Sequence, residues 1–167
     1  LCFSIGDAIG HVVGLFDFED FVMRASLDDG PIRALLDKAQ EQVLRAIRMI
    51  GSEIDNAAFR LWGPEYCAAP LFNPKVYFPK YVLHYDKPAT ELAHETGNFS
   101  VIHSHGRLKD VLDMIAEIGA DALEPIETVP VSTADVTLAE VKERIGGKMC
   151  LMGAIQAVTL ERGTPQD

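Results

Sequence analysis

Between residues 31 and 153, helical stretches and strand candidates alternate four times. That alternation limits the possible folds more than any other feature. Two neighbouring parallel strands need a crossover long enough to hold a helix, so repeated strand–helix units imply a parallel sheet with right-handed connections. The first helical run covers 31–50. Ile32, Leu35, Leu36, Ala39, Val43, Ile47 and Ile50 recur at helical spacing behind Asp28, Asp29 and Pro31, and Gly51 ends the run. Strands are expected at 54–62, 99–103, 122–126 and 149–153. Asn73-Pro74 opens another helical stretch, which Pro79 and Pro88 should divide into two pieces. Leu108, Val111, Leu112, Ile115 and Ile118 form a third stripe, with Gly119 as its terminating residue. Thr137-Leu138-Ala139-Glu140 is a capping box opening a fourth.

Such units build either the closed (β/α)8 barrel or the open doubly wound sheet. No G-x-G-x-x-G follows any of the strands, which disfavours a dinucleotide-binding sheet. A complete barrel takes roughly 250 residues. With 167 residues, the chain is expected to be one domain, a partial TIM barrel of about four consecutive βα units, incomplete at both ends. Leu1 in place of Met, and a Thr164-Pro165 helix start immediately before the last residue, Asp167, support that expectation.

Composition narrows the function classes. Lys plus Arg is 15 and Asp plus Glu is 25, a net charge of −10, which disfavours nucleic acid and anionic membrane surfaces as partners. The most apolar stretch, Leu1 to Phe18, is interrupted by Asp7, His11 and glycines, so it is not expected to span a membrane, and without a basic leader it does not read as a signal peptide. Cys2, Cys67 and Cys150 are widely spaced and form no C-x-x-C, which fits a reducing, cytoplasmic compartment.

In a barrel, chemistry belongs at the C-terminal strand ends. Those ends carry Trp62-Gly63-Pro64-Glu65-Tyr66-Cys67, His103-Ser104-His105-Gly106, Glu124-Pro125-Ile126-Glu127 and Gly153-Ala154-Ile155-Gln156. His103 and His105 are two apart on a strand end and so face one side. With Glu127 or Glu65 they form a three-ligand set suited to Zn²⁺ with an open fourth position. Blander readings compete: one imidazole capping a loop carbonyl and the other solvated, Glu127 bonded to its own loop, Glu65 solvated, Cys67 a small buried apolar group. Trp62 and Tyr66 suit core or rim as well as a substrate platform. His11, His84 and His94 lie away from the strand ends and receive no role.

The ordered set Trp62-Gly63-Pro64-Glu65, Ile102-His103-Ser104-His105-Gly106-Arg107 and Gly119-Ala120-Asp121-Ala122-Leu123-Glu124-Pro125-Ile126-Glu127 resembles the uroporphyrinogen decarboxylase superfamily. Leu138 to Arg144, Leu151 to Gln156 and Gly163-Thr164-Pro165 extend the resemblance, which runs from about Pro31 onward and matches the C-terminal half of that barrel. One branch decarboxylates uroporphyrinogen III without a cofactor, in porphyrin and haem biosynthesis. The other comprises zinc- and cobalamin-linked methyltransferases, which move a methyl group between a corrinoid and a thiol. The methyltransferases carry H-x-C where this chain has His103-Ser104-His105, so the first ligand carries over and the second is His. The decarboxylase-type third and fourth strand motifs are replaced here by Leu123-Glu124-Pro125-Ile126 and Gly153-Ala154-Ile155-Gln156. The sequence is therefore closer to the methyltransferase-like branch. The resemblance implies His103 and His105 as metal ligands, Glu65 and Glu127 as catalytic carboxylates, and Trp62, Tyr66 and Gln156 as substrate contacts. It further implies zinc and a corrinoid (cobalamin) as cofactors, a small-molecule substrate, a corrinoid protein as partner, and a homodimer. A true decarboxylase and a non-catalytic partial barrel are the alternatives. Open sheet edges should favour self-association, and zinc should bind weakly to this portion and well to a longer protein.

Overall fold

The structure is a computed structural model describing residues 1–70, 72–129, 133–153 and 155–164. Five parallel strands form one sheet in sequential order: β1 (Cys2–Ser4), β2 (Ala58–Trp62), β3 (Phe99–His103), β4 (Ala122–Ile126) and β5 (Cys150–Gly153). A doubly wound sheet reverses its strand order partway, whereas a barrel wall does not. The unbroken order is thus that of a partial barrel, and all four predicted strands lie in it. The added strand, β1, comes from the apolar N-terminal stretch. The strand expected from residue 54 begins only at Ala58, because the chain first turns through Asn56, whose φ of 58° is a left-handed conformation that Asn tolerates.

Helices α1 (Ala8–Val13), α2 (Phe18–Leu27) and α3 (Gly30–Gly51) separate β1 from β2. The buried face of α3 is Ile32, Leu36, Gln40, Val43 and Ile47, the spacing seen in the sequence. After β2 come a 3₁₀ turn (Pro64–Cys67), α4 (Pro74–Phe78), a π-helical turn (Pro79–Leu83) and α5 (His84–Glu95). The expected division at Pro79 and Pro88 is overturned here. Pro79 starts the widened π turn, which helical residues precede and follow, and Pro88 lies within α5 with its ring exposed. Helices α6 (Leu112–Ile118), α7 (Leu138–Ile145) and α8 (Ala157–Arg162) complete the order. Gly119 ends α6 at φ 84°, as its position in the sequence predicted. The expected helix start at Thr164-Pro165 extends beyond the described residues, as does Ala154 in the last strand-end motif. Among the described residues, no helix is long and apolar enough to cross a membrane.

The two faces of the sheet differ. Phe59, Leu61, Ile102 and Leu123 point to the buried side and join Phe21, Leu36, Ile47, Phe78, Tyr81 and Leu112 in one core. The alternate positions, Ser4, Arg60, Trp62, His103, Glu124 and Met152, occupy the opposite, partly open face. That face carries the polar chemistry.

Candidate metal centre

Strand register brings the polar side chains together. His103 is level with Trp62 on β2 and with Glu124 on β4, and Arg60 lies two residues below Trp62 on the same face. Arg60 donates to the Glu124 carboxylate and, at 3.2 Å, to the Ser4 hydroxyl. Its Nη2 lies 2.5 Å from His103 Nδ1, and Glu124 Oε1 lies 3.2 Å from the same nitrogen. A guanidinium only donates, so Nδ1 accepts in one tautomer and donates to Glu124 in the other. Burial first, and the Arg60 charge second, push the His103 pKa below its usual value. The imidazole is therefore neutral near pH 7, the form a metal requires. Burial opposes the charged form of Glu124, but hydrogen bonding from Arg60, reinforced by its charge and by His103, holds that carboxyl below the ordinary range.

Glu65 enters from the 3₁₀ turn after β2, where Gly63 N–H donates to its Oε2 at 3.2 Å. Glu65, His103 and His105 each place one ligand atom so that all three lie within 4.8 Å of one another. Ligand atoms of a tetrahedral zinc site with bonds of 2.0–2.2 Å sit about 3.4 Å apart, so side-chain movement of order 1 Å closes the set. The donors fit zinc: two imidazoles, one carboxylate and an open side.

Glu127 stands behind this group. It accepts from Gly106 N–H at 2.9 Å and from the Thr133 hydroxyl at 3.2 Å, and lies 3.7 Å from His105 Nδ1. Each histidine thus has a carboxylate at Nδ1, Glu124 for His103 and Glu127 for His105, which leaves Nε2 of each ring for a metal. In a regular strand, positions 124 and 127 would point to opposite faces. The register shift between Leu123 and Ile126 brings both carboxylates to the histidine pair.

The other predicted residues divide. Tyr66 lines a cleft of about 350 Å³ together with Glu65, His105, Arg107 and Thr133. Trp62 packs on α1 instead: a Cβ at Gly10 would lie 2.7 Å from its ring, and the His11 ring meets it edge-on at 5.6 Å. Gln156 is half-buried and is not among the residues of that cleft. Arg60 and Glu124 received no role from the sequence, although strand alternation already set Arg60 on the side of Trp62 and Glu124 on the side opposite the apolar Leu123.

Asp7 and Asp86, from distant parts of the chain, are each 1% exposed. Both Asp86 oxygens and Asp7 Oδ2 lack a hydrogen-bond partner among the described residues. Burial, and then the charge of Asp86, push Asp7 well up; burial, and then the charge of Glu65, push Asp86 well up. The Cys67 thiol rises mainly through burial, with Asp7, Asp86 and Glu65 adding to it, so it is no thiolate nucleophile. Compared with known proteins, the chain matches no family model, no curated protein and no solved structure.

Proposed function

We propose that this chain carries the metal-binding wall of a uroporphyrinogen decarboxylase-superfamily enzyme of the methyltransferase-like branch, moving a methyl group between a corrinoid and a thiol. The observation that supports it most is the convergence of Glu65, His103 and His105 at the C-terminal end of a parallel sheet wound in barrel order. Glu65, His103 and His105 would hold a zinc ion, which would supply the charge that lowers the pKa of a thiol and keeps it as the thiolate. The chain's own residues do the rest. Glu124 and Glu127 orient the two imidazoles through Nδ1, and Arg60 fixes Glu124 in turn. A corrinoid would supply or take up the methyl group, with the thiol presented beside Glu65, His103 and His105 as the other party to the transfer. The corrinoid protein is the expected partner.

Metal analysis with calorimetry on the full-length protein, with His103→Ala and His105→Ala beside the parent, tests this reading. Zinc bound in a 1:1 ratio by the parent and lost in both variants supports it. Methyl transfer or decarboxylation that proceeds without metal and is indifferent to both substitutions overturns it. Decarboxylation alone would then favour the decarboxylase, and no activity the non-catalytic barrel.

A further inference from the structure

Helices α3 and α5 line a second cleft, of about 270 Å³, which shares no residue with the metal centre. Asp37, Gln40, Glu41 and Leu44 contribute from α3, at the i, i+3, i+4, i+7 spacing of one helix face. His84, Tyr85 and Pro88 contribute from α5. Two hydrogen bonds tie the walls together. Gln40 Nε2 donates to the Tyr85 carbonyl at 2.7 Å, and the Tyr85 hydroxyl donates to Asp37 Oδ1 at 2.8 Å. A carbonyl only accepts, so the first bond fixes the orientation of the amide and leaves the Gln40 oxygen over. That oxygen is buried without a partner among the described residues, and Gln40 as a whole is only 9% exposed. Acceptors are thus in surplus: Gln40 Oε1, the carboxylates of Asp37 and Glu41, and the His84 carbonyl, to which Pro88 one turn later has no N–H to give. The neighbouring cations hold this surplus weakly. Lys38 bonds Glu41 at 2.9 Å with both side chains more than half exposed, and Arg33, one turn before Asp37, is exposed beside Tyr85.

We propose that this cleft binds a primary alkylammonium, which donates to Gln40 Oε1 and to the carboxylates of Asp37 and Glu41 and lays its short chain on Leu44 and Pro88. An ammonium has three donors and no acceptor, the complement of what the walls leave over. Its bond to the Gln40 oxygen satisfies a buried group that otherwise carries its full desolvation penalty, and a charged donor makes the stronger hydrogen bond. The net charge of −10 draws cations to the surface at large, and the amide oxygen adds the directional contact that a diffuse counterion lacks. The inference does not depend on the metal centre.

Nuclear magnetic resonance tests this, with n-butylammonium chloride as the probe and the Gln40 side-chain amide as the reporter. Saturable shifts of that amide, absent with n-butanol and with potassium chloride at equal concentration, support the site. Asp37→Asn keeps an acceptor for the Tyr85 hydroxyl while removing the charge. It and Glu41→Gln should each weaken the affinity about three- to fivefold, whereas Lys38→Gln, which frees Glu41, should strengthen it. Shifts that potassium chloride reproduces mean screening by counterions, and shifts that n-butanol reproduces mean a merely apolar cleft; either overturns the inference. So does the absence of saturable shifts, or an affinity indifferent to both Asp37→Asn and Glu41→Gln. A free amine and a lysine side chain share this chemistry, and putrescine against Nα-acetyl-lysine methylamide separates them. Tighter binding of putrescine supports a small-molecule ligand for the site, and tighter binding of the lysine derivative supports a lysine presented by a partner.

Discussion

Asp86 shows how one buried side chain sets a pH dependence. It is fully buried, both its oxygens are unpartnered among the described residues, and its pKa is raised by burial and then by Glu65. The folded protein therefore keeps a proton that the unfolded chain releases near pH 4. The stability this group contributes is complete below that pH and is lost as the pH rises through the folded value. Asp7, raised in the same way, adds to the slope. Asp86→Asn removes one ionisation, so the variant should exceed the parent by at least about 1.4 kcal/mol at pH 8, the equivalent of one pKa unit. The gap should close toward pH 4. Urea unfolding at several pH values measures it, and a gap independent of pH would contradict the assignment. At Gly10 the constraint is steric: a Cβ there would lie 2.4 Å from the Trp62 carbonyl oxygen. Backbone cannot yield as a side chain does, so Gly10→Ala should destabilise by about 2–3 kcal/mol in the same assay.

At the scale of elements, caps and stripes were legible in the sequence because they depend on neighbours in the chain. Thr137 caps α7, accepting from Glu140 N–H at 3.2 Å as its motif predicts, while the Glu140 carboxylate turns toward Lys109 and Arg144. Thr137→Ala should cost about 1 kcal/mol, read as a lowered urea midpoint. The same local logic failed at Pro79 and Pro88, where the wider π turn and packing of Tyr81, Val82 and Tyr85 into the core keep helical geometry across both prolines. Pro88 is exposed and offers no N–H to the carbonyl of His84, so Pro88→Ala should stabilise the protein by roughly 1–3 kcal/mol. Within the site, His103 and His105 were legible from the two-residue period. Choosing Glu65 rather than Glu127 as their companion was not, because it depends on the register shift in β4 and on the 3₁₀ turn after β2. Asp7 and Asp86 were invisible for a like reason: they are 79 residues apart in sequence, and only tertiary packing gives them a common electrostatic environment.

Across the whole molecule, charge and edge exposure pull in opposite directions. The net charge of −10 keeps copies apart. Against it, β1 and β5 form the edges of the sheet, with Cys2 and Cys150 exposed on them. Phe99 is 46% exposed and Met152 38% exposed on or beside the open face. Unpaired strand edges flanked by apolar side chains template pairing with another chain. At low ionic strength, repulsion should dominate and hold the protein apart. At 0.15 M salt the Debye length falls to about 8 Å, so the charge no longer acts at range while edge pairing and apolar contact persist. Light scattering should therefore show an average mass that rises with protein concentration, and rises further as salt is added, with a reductant present to exclude disulfides through Cys2 and Cys150. Met152→Lys sets a charge next to the β5 edge and should lower that mass without altering the far-ultraviolet circular dichroism. A constant monomer mass at every concentration and salt would show that the edges are already protected.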